Sequence, residues 1–145
     1  MPEKKKERES KDFINLGIVL DKEGKVLLIK RKVEETRNDA RLTWAFPGGR
    51  QKIHEDRRTC VVREVLKETG YEVNYLREIS LRFHPQFPVI VVYSLCQLAN
   101  PEAAPQPVEE YWEVDEVKWV WPSEIKNFIT SNLDPKVAEE LGIQS

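Results

Sequence analysis

The stretch that most constrains this chain runs from Gly49 to Tyr71, GRQKIHEDRRTCVVREVLKETGY. From Arg57 to Thr69 the apolar residues Val61, Val62, Val65 and Leu66 recur at three- and four-residue intervals, the period of an amphipathic helix. Asp56 is placed to cap its first turn, and Gly70 stands where a helix end needs a residue tolerant of the left-handed conformation. On such a helix Glu64 and Glu68, four apart, share one face, with Lys67 beside them. Gly48 and Gly49 just ahead give a turn whose backbone can approach a ligand closely. Two carboxylates on a rigid helix beside bare backbone can hold a hard cation through oxygen atoms. Without the glycine turn, the same spacing reads as a surface helix with Glu–Lys pairs on its wet face.

With Gly49, Glu55, Arg63, Glu64, Val65, Glu68 and Gly70 in place, the stretch resembles the box of the Nudix hydrolases. That pattern is Gly, five residues, Glu, seven residues, then Arg-Glu-aliphatic-any-Glu-Glu-any-Gly-aliphatic. Two positions depart: Lys67 stands where the first Glu of the pair belongs, and Tyr71 where an aliphatic residue is usual. The resemblance spans about Phe13 to Ile129 and implies an α/β fold, an alpha/beta/alpha sandwich with a mixed central sheet. It also implies metal-dependent hydrolysis of a nucleoside diphosphate linked to another moiety, with Mg2+ or Mn2+ as cofactor. Carried over by position, Glu64 and Glu68 would ligate the metal, the Gly49 carbonyl would add a ligand, and Arg63 with Glu55 would brace the loop against the helix. The catalytic set is then Glu64, Glu68, Arg63 and Glu55, with Glu64 the first choice of base. The acidic run Glu109, Glu110, Glu113, Asp115 and Glu116 supplies alternatives, although a solvated strand edge explains most of it.

Lys67 works against this chemistry. Unit charges about 5 Å apart interact by roughly 3 kcal/mol at an effective dielectric near 20, so a cation on the ligand face opposes metal binding unless it swings away. Three outcomes follow: fewer metals, a carboxylate recruited from the acidic run, or a Nudix-fold nucleotide-binding or regulatory module that no longer cleaves.

Substrate contacts are marked more faintly. Gly48, Arg82, His84 and Glu113 are the candidates, and Phe83, Phe87 and Tyr93 are available to stack a base or to fill the core. Pro85 and Pro88 lie about where ADP-ribose-type members carry a proline, yet turn prolines between strands explain themselves.

The rest of the chain reads as one domain over residues 13–145, preceded by a flexible charged tail over residues 1–12. Strands are expected at Phe13–Leu20, Val26–Ile29, near Trp44–Phe46, Glu72–Ile79, Val89–Leu98 and Val117–Val120. The Val89–Leu98 run, almost wholly apolar, suits a central position. Lys30–Lys32 reads as a wet strand end leading into a polar loop through Arg41, and Asn100–Val108 as an exposed, mobile loop. Helices are expected from Pro122 to about Ile129 and from Pro135 to Leu141.

A net charge of −2, with 33% of residues charged, argues against a broad grip on nucleic acid or anionic membrane. No apolar run is long enough to span a bilayer. Cys60 and Cys96 lack metal-like spacing and read as buried reduced thiols, which fits a cytoplasmic setting. The expected partner is a small nucleotide; the resemblance leaves a homodimer open.

Overall fold

A computed structural model of the protein describes residues 9–37 and 40–143, with 9–12 described in backbone only. The strands are β1 (Glu9–Leu20), β2 (Val26–Arg37), β3 (Ala40–Ala45), β4 (Gly48–Lys52), β5 (Val73–Phe83), β6 (Ile90–Leu98) and β7 (Val114–Val120). The helices are α1 (Arg57–Thr69), α2 (Ile125–Phe128) and α3 (Pro135–Glu140), with a 3-10 turn at Pro122–Glu124 leading into α2.

The strands form one mixed sheet ordered β3-β2-β1-β6-β5, with β4 pairing β1 and β7 pairing β2. β6 lies inside the sheet, parallel to β1 from Phe13↔Ile90 to Leu20↔Gln97. The other edge of β1 is divided. Leu20 pairs with Val26 of β2, whereas Ile14, Asn15 and Leu16 pair with Arg50, Gly49 and Gly48 of β4. β2 therefore diverges from β1 where β4 enters, and this divergence opens the sheet beside the glycine pair.

Strand alternation sends successive residues to opposite faces. Ile18 and Val19, both fully buried, illustrate it. Ile18 packs with Leu28, Tyr93, Val120, Ile125 and Val137 under α2 and α3; Val19 packs with Leu27, Val61, Val65 and Cys96 under α1. The result is the expected sandwich with helices on both faces. Each fully buried valine or leucine contributes about 1.5–3 kcal/mol relative to exposure.

Several boundaries differ from the sequence reading. The expected tail lies outside the described residues as far as residue 8, and Glu9–Asp12 extend β1. The polar loop expected through Arg41 is instead a hairpin: β2 continues to Arg37 and pairs with β3 through Glu35↔Leu42, Thr36↔Arg41 and Arg37↔Ala40. Polar residues form strand there because the ladder satisfies their backbone groups while their side chains stay exposed. β7 begins three residues earlier than expected, at Val114. The Asn100–Val108 loop is exposed, but its Gln106 N–H reaches the Gly70 carbonyl at 2.8 Å, tying it to the end of α1.

Candidate active site

The site is assembled around α1. Asp56 accepts the Thr59 N–H at 2.7 Å at the N-terminus. Gly70 closes the helix at φ 77°, and its N–H reaches the Leu66 carbonyl at 2.9 Å. The helix packs tightly on β1 because Gly17 has no side chain; a Cβ there would sit 3.0 Å from Val65 and 3.2 Å from Val61. Burying Val61 and Val65 fixes the rotation of α1, so Glu64 and Glu68 face the start of β4.

Gly48 and Gly49 belong to a strand and not to the free loop that the sequence suggested. They begin β4, and glycine is required by its neighbours. Gly48 adopts φ 155°, and a Cβ there would meet the Asn15 carbonyl at 2.0 Å. At Gly49 a Cβ would fall 2.7 Å from the Glu64 carboxylate. The bare backbone thus lets both glutamates lie against the strand. The Gly48 N–H donates to Glu68 Oε1 at 2.7 Å. The Gly49 carbonyl, expected as a metal ligand, lies 3.7 Å from Cys60 Sγ.

Arg63 connects the remaining acidic groups. Its Nε and a terminal nitrogen grip Glu55 at 2.6 and 2.8 Å, and its other terminal nitrogen reaches Glu64 Oε1 at 2.6 Å. The Arg63 hydrogen bond holds the Glu55 carboxyl below the usual range. Hydrogen bonding to Glu55 in turn pushes the Arg63 pKa up. A forked guanidinium between two carboxylates fixes direction as well as charge.

The loop before β7 completes the acidic group. The N–H groups of Glu109 and Glu110 donate to the Lys67 carbonyl at 3.0 and 3.1 Å, docking the loop on the last turn of α1. Carboxylate oxygens of Glu68, Glu110 and Glu113 come within 4.8 Å of one another. Lys67 points at this loop, its ammonium 3.9 Å from Glu110 Oε1. Burial pushes the Glu68 carboxyl well above its ordinary pKa, opposed by the Gly48 N–H and reinforced by Glu64, Glu110 and Glu113. Burial, then Glu64 and Glu113, raise Glu110 to about 7. Carboxylates crowded in this way repel one another, and a cation among their oxygens relieves the repulsion.

This triad shares only Glu68 with the expected metal set of Gly49, Glu64 and Glu68. Glu68 is in it, Glu64 is engaged by Arg63 beside it, and Glu110 and Glu113 come from the acidic run. Glu113 thereby moves from candidate substrate contact to the acidic cluster. Asp115 and Glu116 lie exposed along β7, as a solvated edge would.

A cavity of about 940 Å³ opens beside these groups and is lined by Gly48, Gly49, Arg63, Glu64, Glu68, Glu110 and Glu113. His84, Phe87 and Tyr93 line it as well, whereas Phe83 is 78% exposed and outside the lining. Arg82 is also outside the lining, a correction to the sequence reading. Its guanidinium reaches Asn132 at 2.7 Å and the Tyr93 hydroxyl at 3.2 Å, and lies 3.3 Å from Asp134, bracing the loop before α3. His84 Nδ1 accepts the Gln86 N–H at 3.0 Å, so a neutral ring carries its proton on Nε2. Burial, then Arg82, lower its pKa to about 4. Arg31, which reads from sequence as part of a wet strand end, lines the cavity because β2 diverges from β1 at that point. The docking of Glu110 was not visible in sequence; the nearest signal was the density of acidic residues around it.

Residues 15–143 match the family model described as NUDIX domain. A Bacillus subtilis (strain 168) protein provisionally named an 8-oxo-dGTP diphosphatase is 30% identical over 115 residues, covering 79% of this chain and 70% of that protein. Among solved structures, a MutT protein from Methanosarcina mazei Go1 aligns with TM-score 0.62 at 19% identity, covering 90% of each chain. An ADP-ribose pyrophosphatase from Streptococcus suis 89-1591 aligns with TM-score 0.61 at 20% identity, covering 92% of this chain and 91% of the other. At these identities the structural matches speak for the fold.

Proposed function

This chain belongs to the NUDIX family and is a hydrolase of pyrophosphate bonds, and we propose that it works with Mg2+ or Mn2+ on a nucleoside diphosphate linked to another moiety. The observation that carries the reading is the approach of Glu68, Glu110 and Glu113 to within 4.8 Å at the wall of a cavity. All-oxygen donors with surplus negative charge fit a hard divalent cation. Bound there, such a cation would neutralise phosphate charge and assist attack by water.

The chain's own residues hold that arrangement in place. Gly48 fixes Glu68 Oε1, and Arg63, itself clamped by Glu55, fixes Glu64 Oε1. Glu64 is the base in this reading: it stands next to the triad and takes a proton from the attacking water. Lys67 directs its charge at Glu110, so it offsets the recruited carboxylate and leaves Glu68 to its Gly48 contact. Arg31 and Arg50, also lining the cavity, are placed to meet phosphate oxygens.

The substrate is a small nucleotide, a dinucleotide or a nucleotide sugar in this proposal, and the nucleotide named for the Bacillus relative supports that class. Among the described residues no helix is long and apolar enough to cross a membrane. Cys60 and Cys96 are buried free thiols, which suits the proposed cytoplasmic setting.

The test is product release from a panel of nucleoside triphosphates, ADP-ribose and nucleotide sugars with Mg2+ or Mn2+, comparing the wild type with Glu68→Gln. Hydrolysis of at least one member, lost in the variant, is expected. Turnover unaffected by Glu68→Gln would remove this site from the chemistry.

A further inference from the structure

Trp112 stands between two members of the carboxylate triad in sequence, and nothing in the core accounts for it. It is 58% exposed, belongs to neither buried cluster, and among the described residues meets a single aromatic ring, that of the likewise exposed Tyr111, edge-on at 5.3 Å. Yet it lines the same cavity as Glu68, Glu110 and Glu113. An indole left in water at the mouth of a charged cavity forgoes burial that a core position would give it.

The backbone carrying this ring is well fixed. Glu110 N–H is bonded to the Lys67 carbonyl, and the N–H groups of Glu113 and Val114 return to the Glu110 carbonyl at 3.0 and 3.1 Å. The Lys32 N–H donates to the Glu113 carbonyl at 3.0 Å, holding β2 against the same turn. The next residue of β2, Val33, is 76% exposed and also lines the cavity. Two exposed apolar side chains from adjoining segments therefore flank the cavity next to the acidic cluster.

We propose that Trp112 is a specificity-determining residue, a stacking platform for the ring of the moiety attached to the diphosphate. This rests on the function proposed above, since it requires the diphosphate to be held at the neighbouring carboxylates. Stacking fits the placement: every nucleobase has a π-face, a tryptophan offers a large rigid one, and a fixed backbone spares the ordering cost on binding. A divalent cation at Glu110 and Glu113 would hold the charged part, and Trp112 selects for a ring within one residue's reach of those carboxylates.

The experiment compares two probes by calorimetry in Mg2+: the non-hydrolysable α,β-methylene analogue of ADP, and methylenediphosphonate, which has the charge without the ring. Trp112→Leu is expected to weaken the nucleotide analogue about tenfold, in line with the loss of one base–aromatic stack, and to leave methylenediphosphonate unchanged. Trp112→Phe is expected to retain most of the affinity, and the exposed position predicts unchanged melting for both variants. Equal nucleotide affinity in Trp112→Leu overturns the inference, as does parallel weakening of both probes, which would mean only that the acidic loop had moved. A wild-type protein that binds both probes equally overturns the ring subsite alone. One that binds neither overturns the proposed function and this inference with it.

Discussion

The Gly48 N–H and the Glu68 carboxylate meet at 2.7 Å, across twenty residues of sequence, and this bond seats a buried acid on the edge of the sheet. Glu68 is only 8% exposed and has Glu64, Glu110 and Glu113 as charged neighbours, so its ionised form is stabilised poorly until a cation arrives. Glutamine keeps the shape and still accepts from Gly48. Glu68→Gln is therefore expected to melt at or above the wild-type temperature in chelator, and to lose the upward shift that Mg2+ or Mn2+ gives the wild type. Differential scanning calorimetry with and without metal reads both; a variant that melts well below the wild type in chelator would contradict the burial argument.

Arg63 makes three charge-assisted hydrogen bonds with a planar fork that lysine cannot reproduce. Arg63→Lys is expected to lose about 1.5–3 kcal/mol of stability, the range for hydrogen bonds to charged groups, and to lower kcat because Glu64 loses its anchor. Urea denaturation and turnover on the same preparation check this. A variant with wild-type stability would show that the Glu55 clamp contributes nothing to the fold.

Lys67→Glu removes the cation that faces Glu110 and adds a further carboxylate to the cluster. Without metal the acidic loop is repelled from α1, so melting should fall. With Mn2+ the gain in melting temperature should exceed that of the wild type, reflecting higher affinity. A smaller metal-induced gain than in the wild type would contradict the charge argument.

His84 gives a pH dependence whose sign follows from its burial. Its pKa is lowered from 6.5 to about 4 in the folded chain. Between those values the unfolded chain binds a proton that the folded chain does not, so stability falls as pH drops from about 6.5 towards 4. His84→Asn should flatten that limb of the curve. Chemical denaturation at several pH values measures it, and identical slopes for variant and wild type would discount His84 as the source.

The parts of this site legible in sequence were those fixed locally. Asp56 and Gly70 bracket α1 where capping chemistry puts them, and the spacing of Val61 and Val65 fixes the orientation of the helix. The glycines were located correctly but for a different reason. Gly48 serves a close strand contact with Asn15, which depends on a partner more than thirty residues away in sequence and on no neighbour within the turn. The β2–β3 hairpin was hidden because Val33–Arg37 carry no burial alternation; only pairing with β3 makes them a strand. Glu110 was hidden for a related reason. Nothing near it in sequence announces that the Lys67 carbonyl, more than forty residues earlier, will dock its loop. Arg82 misled because a cation beside candidate site residues looks available until Asp134 and Asn132 are seen to occupy it.

The most direct measurement is a Mn2+ titration by isothermal calorimetry of the wild type beside Glu68→Gln, Glu110→Gln and Glu113→Gln. A site built from helix and loop together predicts that each substitution weakens Mn2+ binding by tenfold or more, about 1.4 kcal/mol or greater, with the loop variants affected like the helix variant. If Glu110→Gln and Glu113→Gln bind Mn2+ as tightly as the wild type, the loop carboxylates are not ligands, and the account of how this chain manages with a lysine at position 67 is wrong.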